Sequence, residues 1–90
     1  MASAKRQLDG LTVPERTGVV AAIEKQLSQQ PLVETRNRKK LHPNPVAPWE
    51  LRIGKARVFY DVEESAMVTI LAIGRKKGNK LYIEGKEIQL

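Results

Sequence analysis

The chain has 90 residues, which is enough for one domain with a small core. It has no cysteine, which excludes disulfides and thiolate chemistry, and no apolar run near the roughly 20 residues that span a bilayer. The formal net charge of +6 favours a polyanionic partner. The first residues lack the apolar stretch of a signal peptide, so we expect a cytoplasmic protein.

Apolar residues at helical spacing predict a first helix at the start of the chain. Ala4, Leu8 and Leu11 recur at i, i+4 and i+7, which gives the helix one apolar side. Gly10 is expected to end it, because glycine is common just after a helix.

A second helix is predicted to begin at Thr12 and to end before Pro31. Thr12 can cap the helix, Pro14 tolerates its first turn, and Glu15 completes a capping box. Residues 1–31 therefore predict a helical hairpin. Its second helix has an apolar stripe formed by Val19, Val20, Ile23 and Leu27.

Residues 34–48 combine a dense basic run with three prolines, which predicts an extended loop between a helical half and a strand half. The cations of this run suit a polyanion, meaning RNA, DNA or an acidic protein segment, and the alternative is a solvated surface. The predicted phosphate-binding cations are Arg36, Arg38, Lys39 and Lys40, with Arg75 from a later strand.

From Trp49 onward the hydrophobic pattern has the period of two that is typical of strands. It predicts strands over residues 49–53, 57–62, 67–73 and 81–83, with the third strand central and buried on both faces and the last at an edge. Turns are predicted at 54–55, 63–65 and 76–79. Residues 49–90 should form an antiparallel meander with the helical hairpin on one face, which is a single α+β domain.

The first two strands are predicted to place a cluster of charges on the sheet face that looks away from the helices. If Trp49 and Val58 face the helices, the other face carries Glu50, Arg52 and Arg57, with Asp61. Arg is a bidentate phosphate donor, so this face predicts a phosphate site. The alternative is that Arg57 only pairs with a carboxylate across the strands. Lys76 and Tyr82 are expected at the rim of the same site.

Familiar catalytic and cofactor motifs are absent from the sequence. His42 is the one histidine, so neither a histidine metal site nor a Ser–His–Asp triad is expected. There is no glycine-rich phosphate loop of the Walker or Rossmann type. We therefore predict no cofactor and no metal.

The stretch Trp49–Val62, with Arg57-Val58-Phe59-Tyr60 at its centre, resembles the two-strand signature of RelE/ParE-superfamily toxins. Ile70–Lys76 resembles the third strand of that family, and Tyr82 follows it as in the ribonuclease members. The resemblance covers most of the chain and implies a RelE-like fold. Members of the superfamily open with a strand before the first helix, so we also expect this chain to lack one strand and to expose a sheet edge.

The resemblance also implies a role for each residue of the predicted site. Arg52 would stabilise or activate an attacking 2′-hydroxyl, Arg57 would bind the scissile phosphate, and Lys76 would be a basic general acid. Tyr82 would stack on or orient the nucleotide. Glu50 departs from the best-studied pattern, which has Lys there, although its carboxylate could serve as a general base.

The function implied by the resemblance is that of a toxin in a toxin–antitoxin system, a ribosome-dependent and metal-independent endoribonuclease that cuts messenger RNA. Its partners would be a cognate antitoxin and the ribosome with its mRNA, with DNA contacted only through the antitoxin complex and no contact with membranes. Two alternatives stay open. One is a ParE-like topoisomerase inhibitor, and the other is a basic RNA-binding module without chemistry.

Overall fold

The computed structural model describes residues 2–28, 31–64 and 67–89. Within them, two helices precede six strands. The helices are α1 (Ala2–Asp9) and α2 (Val13–Leu27). The strands are β1 (Arg38–Lys40), β2 (Trp49–Ile53), β3 (Ala56–Val62), β4 (Val68–Lys77), β5 (Lys80–Ile83) and β6 (Lys86–Ile88).

Each strand pairs antiparallel with the next one along the chain, so the described strands form an open sheet in the order β1-β2-β3-β4-β5-β6. Helix α1 packs on β4, and α2 packs on β2 and β3. The protein is therefore an α+β protein, and the predicted antiparallel meander is confirmed. The two helices are joined by a short turn, as the predicted hairpin requires. Each helix, however, makes its main contacts with the sheet.

The predicted capping box forms at the start of α2. The Glu15 amide donates to Thr12 Oγ1 at 3.3 Å, and the Thr12 amide donates to Glu15 Oε1 at 3.1 Å. The helix ends at Leu27 with Ser28 as its C-cap, which is earlier than Pro31 alone would require. The predicted polar end at residues 29–30 lies outside the described residues.

The main core lies between the helices and the sheet. Tyr60 is fully buried there, its ring stacks on Trp49 with 6.0 Å between centroids, and its hydroxyl donates to the Pro31 carbonyl at 2.6 Å. The predicted inward positions of β2 and β3 are therefore right. The buried members of this core are Val19, Leu27, Trp49, Leu51, Ala56, Val58, Tyr60 and Ile73.

A second, smaller core covers part of the opposite sheet face, which the sequence predicted to be polar. Phe59 is fully buried there, and Ala47 from the preceding loop packs on the same cluster. Asn44 holds this loop in place: its amide donates to the His42 and Ala47 carbonyls at 2.7 and 2.8 Å. The proline-rich segment therefore has a defined conformation and packs, through Ala47, on the sheet face opposite the helices.

The sequence missed β1 and β6 and placed one edge wrongly. Residues 81–83 are not an edge strand, because β5 lies between β4 and β6. Glu84 and Gly85 have φ values of 52° and 78°, and such a two-residue turn reverses the chain into a sixth strand. Strand β4 runs on through Lys77, so the predicted turn at residues 76–79 is shorter.

Burial in the central strand also differs from the prediction. Val68–Leu71 is only half-buried, and full burial begins at Ala72. The turn predicted at residues 63–65 reaches Ser65, which lies outside the described residues.

Candidate functional site: a cationic cavity on the open sheet face

The sheet face opposite the helices, here called the open face, contains a cavity of about 380 Å³. Its floor is apolar and includes Phe59 and Leu81, which belong to the second core. Its walls are charged, and we call it the cationic cavity because cations outnumber carboxylates among its lining residues. The charged lining residues are Arg52, Arg57, Lys76, Lys80, Glu50 and Glu87.

Strand alternation and register bring the central charges together. Arg52 and Arg57 are directly opposed across β2 and β3, because the tight turn at Gly54 pairs residues that flank it symmetrically. Glu50 lies two residues before Arg52 and therefore points to the same face. Its Oε1 atom lies 3.2 Å from Nε of Arg52 and 3.2 Å from Nε of Arg57.

Glu50 is buried and Arg57 is partly buried, which differs from the exposed face predicted from the sequence. The Glu50 side chain is 7% exposed and that of Arg57 is 13% exposed, whereas Arg52 is 46% exposed. Burial lowers the pKa of Arg57, with a further lowering by Arg52, and Glu50 opposes both effects. The predicted alternative of a cross-strand Arg57–Glu50 pair is thus part of the observed geometry.

One edge of the Arg57 guanidinium is used by the protein itself. Nη1 donates to the Gly54 and Ala56 carbonyls at 2.7 and 2.8 Å, which fixes the side chain against its own turn. The buried Nε atom makes no hydrogen bond, although Glu50 Oε1 is near. Nη2 has no acceptor among the described residues, so this nitrogen is the donor that Arg57 can offer to a ligand.

Lys76 reaches the same cavity from β4. Its amide donates to the Lys55 carbonyl at 2.8 Å, which fastens the β2–β3 turn to β4. Lys76 therefore shares the cavity with Arg52 and Arg57, as the sequence predicted.

Tyr82 does not line this cavity, so it does not lie at the rim where the sequence predicted it. It is the register partner of Arg75, and both residues line a different cavity of about 590 Å³ on the helix side of the sheet. The Arg75 guanidinium also binds the Glu15 carboxylate at the start of α2. Arg75 is therefore held against the start of α2 on the helix side of the sheet.

The basic run divides between the two sides of the sheet. Arg38 is buried, in contrast to the exposed position expected of a phosphate-binding residue, and its donation to the Gln26 carbonyl at 2.6 Å connects β1 to α2. Lys39 is exposed and opposite Glu50, which places it on the open face. Lys40 is exposed and opposite Trp49, which places it on the helix side. Arg36 is exposed in the loop before β1.

Sequence reasoning missed the contribution of the last hairpin. Lys80, Glu87 and Gln89 line the cationic cavity beside the predicted residues, and Lys80 Nζ lies 3.8 Å from Glu87 Oε1. Strand β6 has only three residues, which is too short for hydrophobic alternation to predict it. The turn residues Glu84 and Gly85 were the available signal.

The arrangement suits a phosphate group. Arg52 and Arg57 present guanidinium donors beside a third cation, and arginine matches phosphate oxygens geometrically. In the described part of the chain there is no cluster of three or more His, Asp or Glu that could hold a metal ion.

Comparisons with protein-family models, with curated proteins and with solved structures give no match for this chain. The described helices include none that is long and apolar enough to cross a membrane.

Proposed function

We propose that this chain is a RelE/ParE-type toxin that binds RNA in the cationic cavity and cleaves messenger RNA on the ribosome. The observation that carries the proposal is the gathering of Arg52, Arg57 and Lys76 around one cavity. These are three of the four residues to which the family resemblance assigns chemistry, and they come from three different strands.

The proposed reaction is in-line attack of a ribose 2′-hydroxyl on its own 3′-phosphate. The P–O bond to the 5′-oxygen of the next nucleotide breaks, which leaves a 2′,3′-cyclic phosphate and a 5′-hydroxyl. Arg52 and Nη2 of Arg57 would stabilise the charge that develops on the phosphoryl oxygens. Lys76 would give a proton to the leaving oxygen, and the proton of the attacking 2′-hydroxyl would pass to water. The reaction needs no redox partner and no covalent enzyme intermediate.

As a toxin of this type, the protein would be paired with an antitoxin. An antitoxin protein with an acidic or amphipathic segment would bind the toxin and inhibit it in the cytoplasm, and DNA would be reached only through that complex. A positive surface and a small core favour such a partner, which would raise the melting temperature by binding only the folded state.

A second candidate function is RNA binding without cleavage. It is favoured by the position of Tyr82 on the helix side and by the engagement of Arg57 Nη1 with turn carbonyls. Both features reduce the number of groups available for chemistry. The family's other branch, inhibition of a topoisomerase, is tested separately, by DNA breaks that depend on gyrase.

Arg52→Gln is the sharpest test, because the Arg52 side chain is half-exposed and, among the described residues, forms an ion pair or hydrogen bond with Glu50 alone. We expect cleavage of ribosome-bound mRNA to fall roughly 100- to 1000-fold, with loss of growth inhibition and no effect of EDTA on the wild type. Lys25→Gln, which removes an exposed cation on α2, is the control with the same change in charge and should cleave normally.

Other outcomes distinguish the candidate functions. RNA binding without cuts in the wild type supports the non-catalytic module. DNA breaks that depend on gyrase support the topoisomerase inhibitor. Arg57→Ala is a poorer test than Arg52→Gln, since losing the two bonds to the β2–β3 turn also lowers stability.

A further inference from the structure

In the cationic cavity two neighbouring arginines share one carboxylate, that of Glu50, which offsets their mutual repulsion. Arg52 and Arg57 are direct register partners on neighbouring strands, and like charges in that relation repel. Glu50 Oε1 lies at 3.2 Å from Nε of each. One carboxylate oxygen therefore lies against two guanidinium groups at once and offsets part of their positive charge.

The charge of Glu50 is poorly screened, because its side chain is only 7% exposed. Charges with little access to water interact more strongly than charges at the surface. A phosphate that binds the outer nitrogens of the same two guanidinium groups would meet this negative charge across them. It would also compete with Glu50 for their positive charge.

We infer that Glu50 is a built-in counter-anion of the phosphate site, which holds the two arginines together in the free protein and weakens their affinity for phosphate. The inference rests on the proposed function, since it presumes that the cavity binds an RNA phosphate. It differs from a general-base role for Glu50, because it concerns binding and not the cleavage step.

The test measures binding of a single-stranded RNA that carries 2′-deoxy substitutions and cannot be cleaved. Glu50→Gln keeps the length of the side chain and an oxygen acceptor but removes the charge. We expect this variant to bind the oligonucleotide roughly tenfold more tightly than the wild type at the same salt concentration. Glu24→Gln, on the exposed side of α2, makes the same change in net charge and should bind as the wild type does.

A thermal measurement covers the case in which Glu50→Gln is destabilised by repulsion between the arginines. Inorganic phosphate should replace the missing counter-anion, so it should raise the melting temperature of Glu50→Gln more than that of the wild type. Chloride at matched ionic strength should not do so. A variant that stays unfolded in phosphate would overturn the inference.

The outcomes separate this inference from the proposed function. If the Arg52→Gln variant binds the oligonucleotide as tightly as the wild type does, the cavity is not the phosphate site and the proposed function fails. If Arg52→Gln weakens binding but Glu50→Gln binds no more tightly than the wild type, only the counter-anion role is wrong. In that case Glu50 organises the arginines for the ligand.

Discussion

Gly74 is the residue at which β4 and β5 leave no room for a side chain. A Cβ atom built there would lie 2.8 Å from the Tyr82 carbonyl oxygen and 2.9 Å from Cγ1 of Ile83. The nearest obstacle is backbone, which cannot rotate away. We expect Gly74→Ala to lower the free energy of unfolding by about 1–3 kcal/mol in denaturant titration, as overpacking does.

Gly18 provides the matched control for that substitution. It lies in α2, and nothing is within 4 Å of its Cβ position. Gly18→Ala should therefore raise stability by about 0.5–1 kcal/mol, because glycine is a poor helix former. Equal effects of the two substitutions would show that contact with β5 does not determine the cost at Gly74.

Tyr60 makes stability depend on pH in the alkaline range. Burial raises its pKa from 10.0 to about 12, since the buried phenolate is poorly solvated. The raised pKa contributes stability that is complete below pH 10 and is lost as the pH rises from 10 to about 12. Tyr60→Phe loses the bond to Pro31 and should cost about 1 kcal/mol at pH 8. The difference from the wild type should shrink between pH 10 and 12, and a constant difference would contradict the assigned cause.

At the scale of the element, α2 depends on its first turn. Thr12→Ala removes the cap that accepts the Glu15 amide and should cost about 1 kcal/mol of unfolding free energy. Thr17→Ala, an exposed position in the body of the same helix, should be neutral or slightly stabilising. If both variants unfold at the same denaturant concentration, the capping box contributes nothing.

Elements with a local signal were predictable, and elements defined by pairing were not. The capping box fixed the start of α2, and alternation fixed the inward faces of β2 and β3. By contrast, β1 and β6 have three residues each and no alternation long enough to detect. Their strand geometry comes from β2 and β5, to which they are hydrogen-bonded.

At the scale of the whole molecule, the sheet sorts the basic residues onto two sides. Lys39 and Lys40 are sequence neighbours with equal charge, but only Lys39 shares the open face with Glu50. If RNA binds that face, Lys39→Gln should reduce the slope of log affinity against log salt by about 1. Lys40→Gln should leave the slope nearly unchanged. Equal slopes for the two variants would place the RNA elsewhere.

Part of the candidate site could be predicted from local sequence, and the rest depends on how distant strands pair. Arg52 and Arg57 flank a tight turn, so the sequence alone brings them together. The side on which Tyr82 lies depends on the register of β4 with β5, where it opposes Arg75. Glu50 is buried and Arg57 is partly buried on a sheet face that also carries the second core around Phe59 and Ala47, and strand alternation alone does not predict that core.

The side chain of Gln7 accepts a hydrogen bond from a β4 amide at a position that does not pair with β5. Its Oε1 atom accepts the Ile73 amide at 2.7 Å, on a part of β4 that β5 does not reach. The strands pair only with sequence neighbours, whereas this bond joins residues 66 positions apart. Loop-closure entropy makes such distant contacts slow to form. We therefore expect the hairpins between neighbouring strands to form before the two helices dock on the sheet, because the helix–sheet contacts join distant parts of the chain.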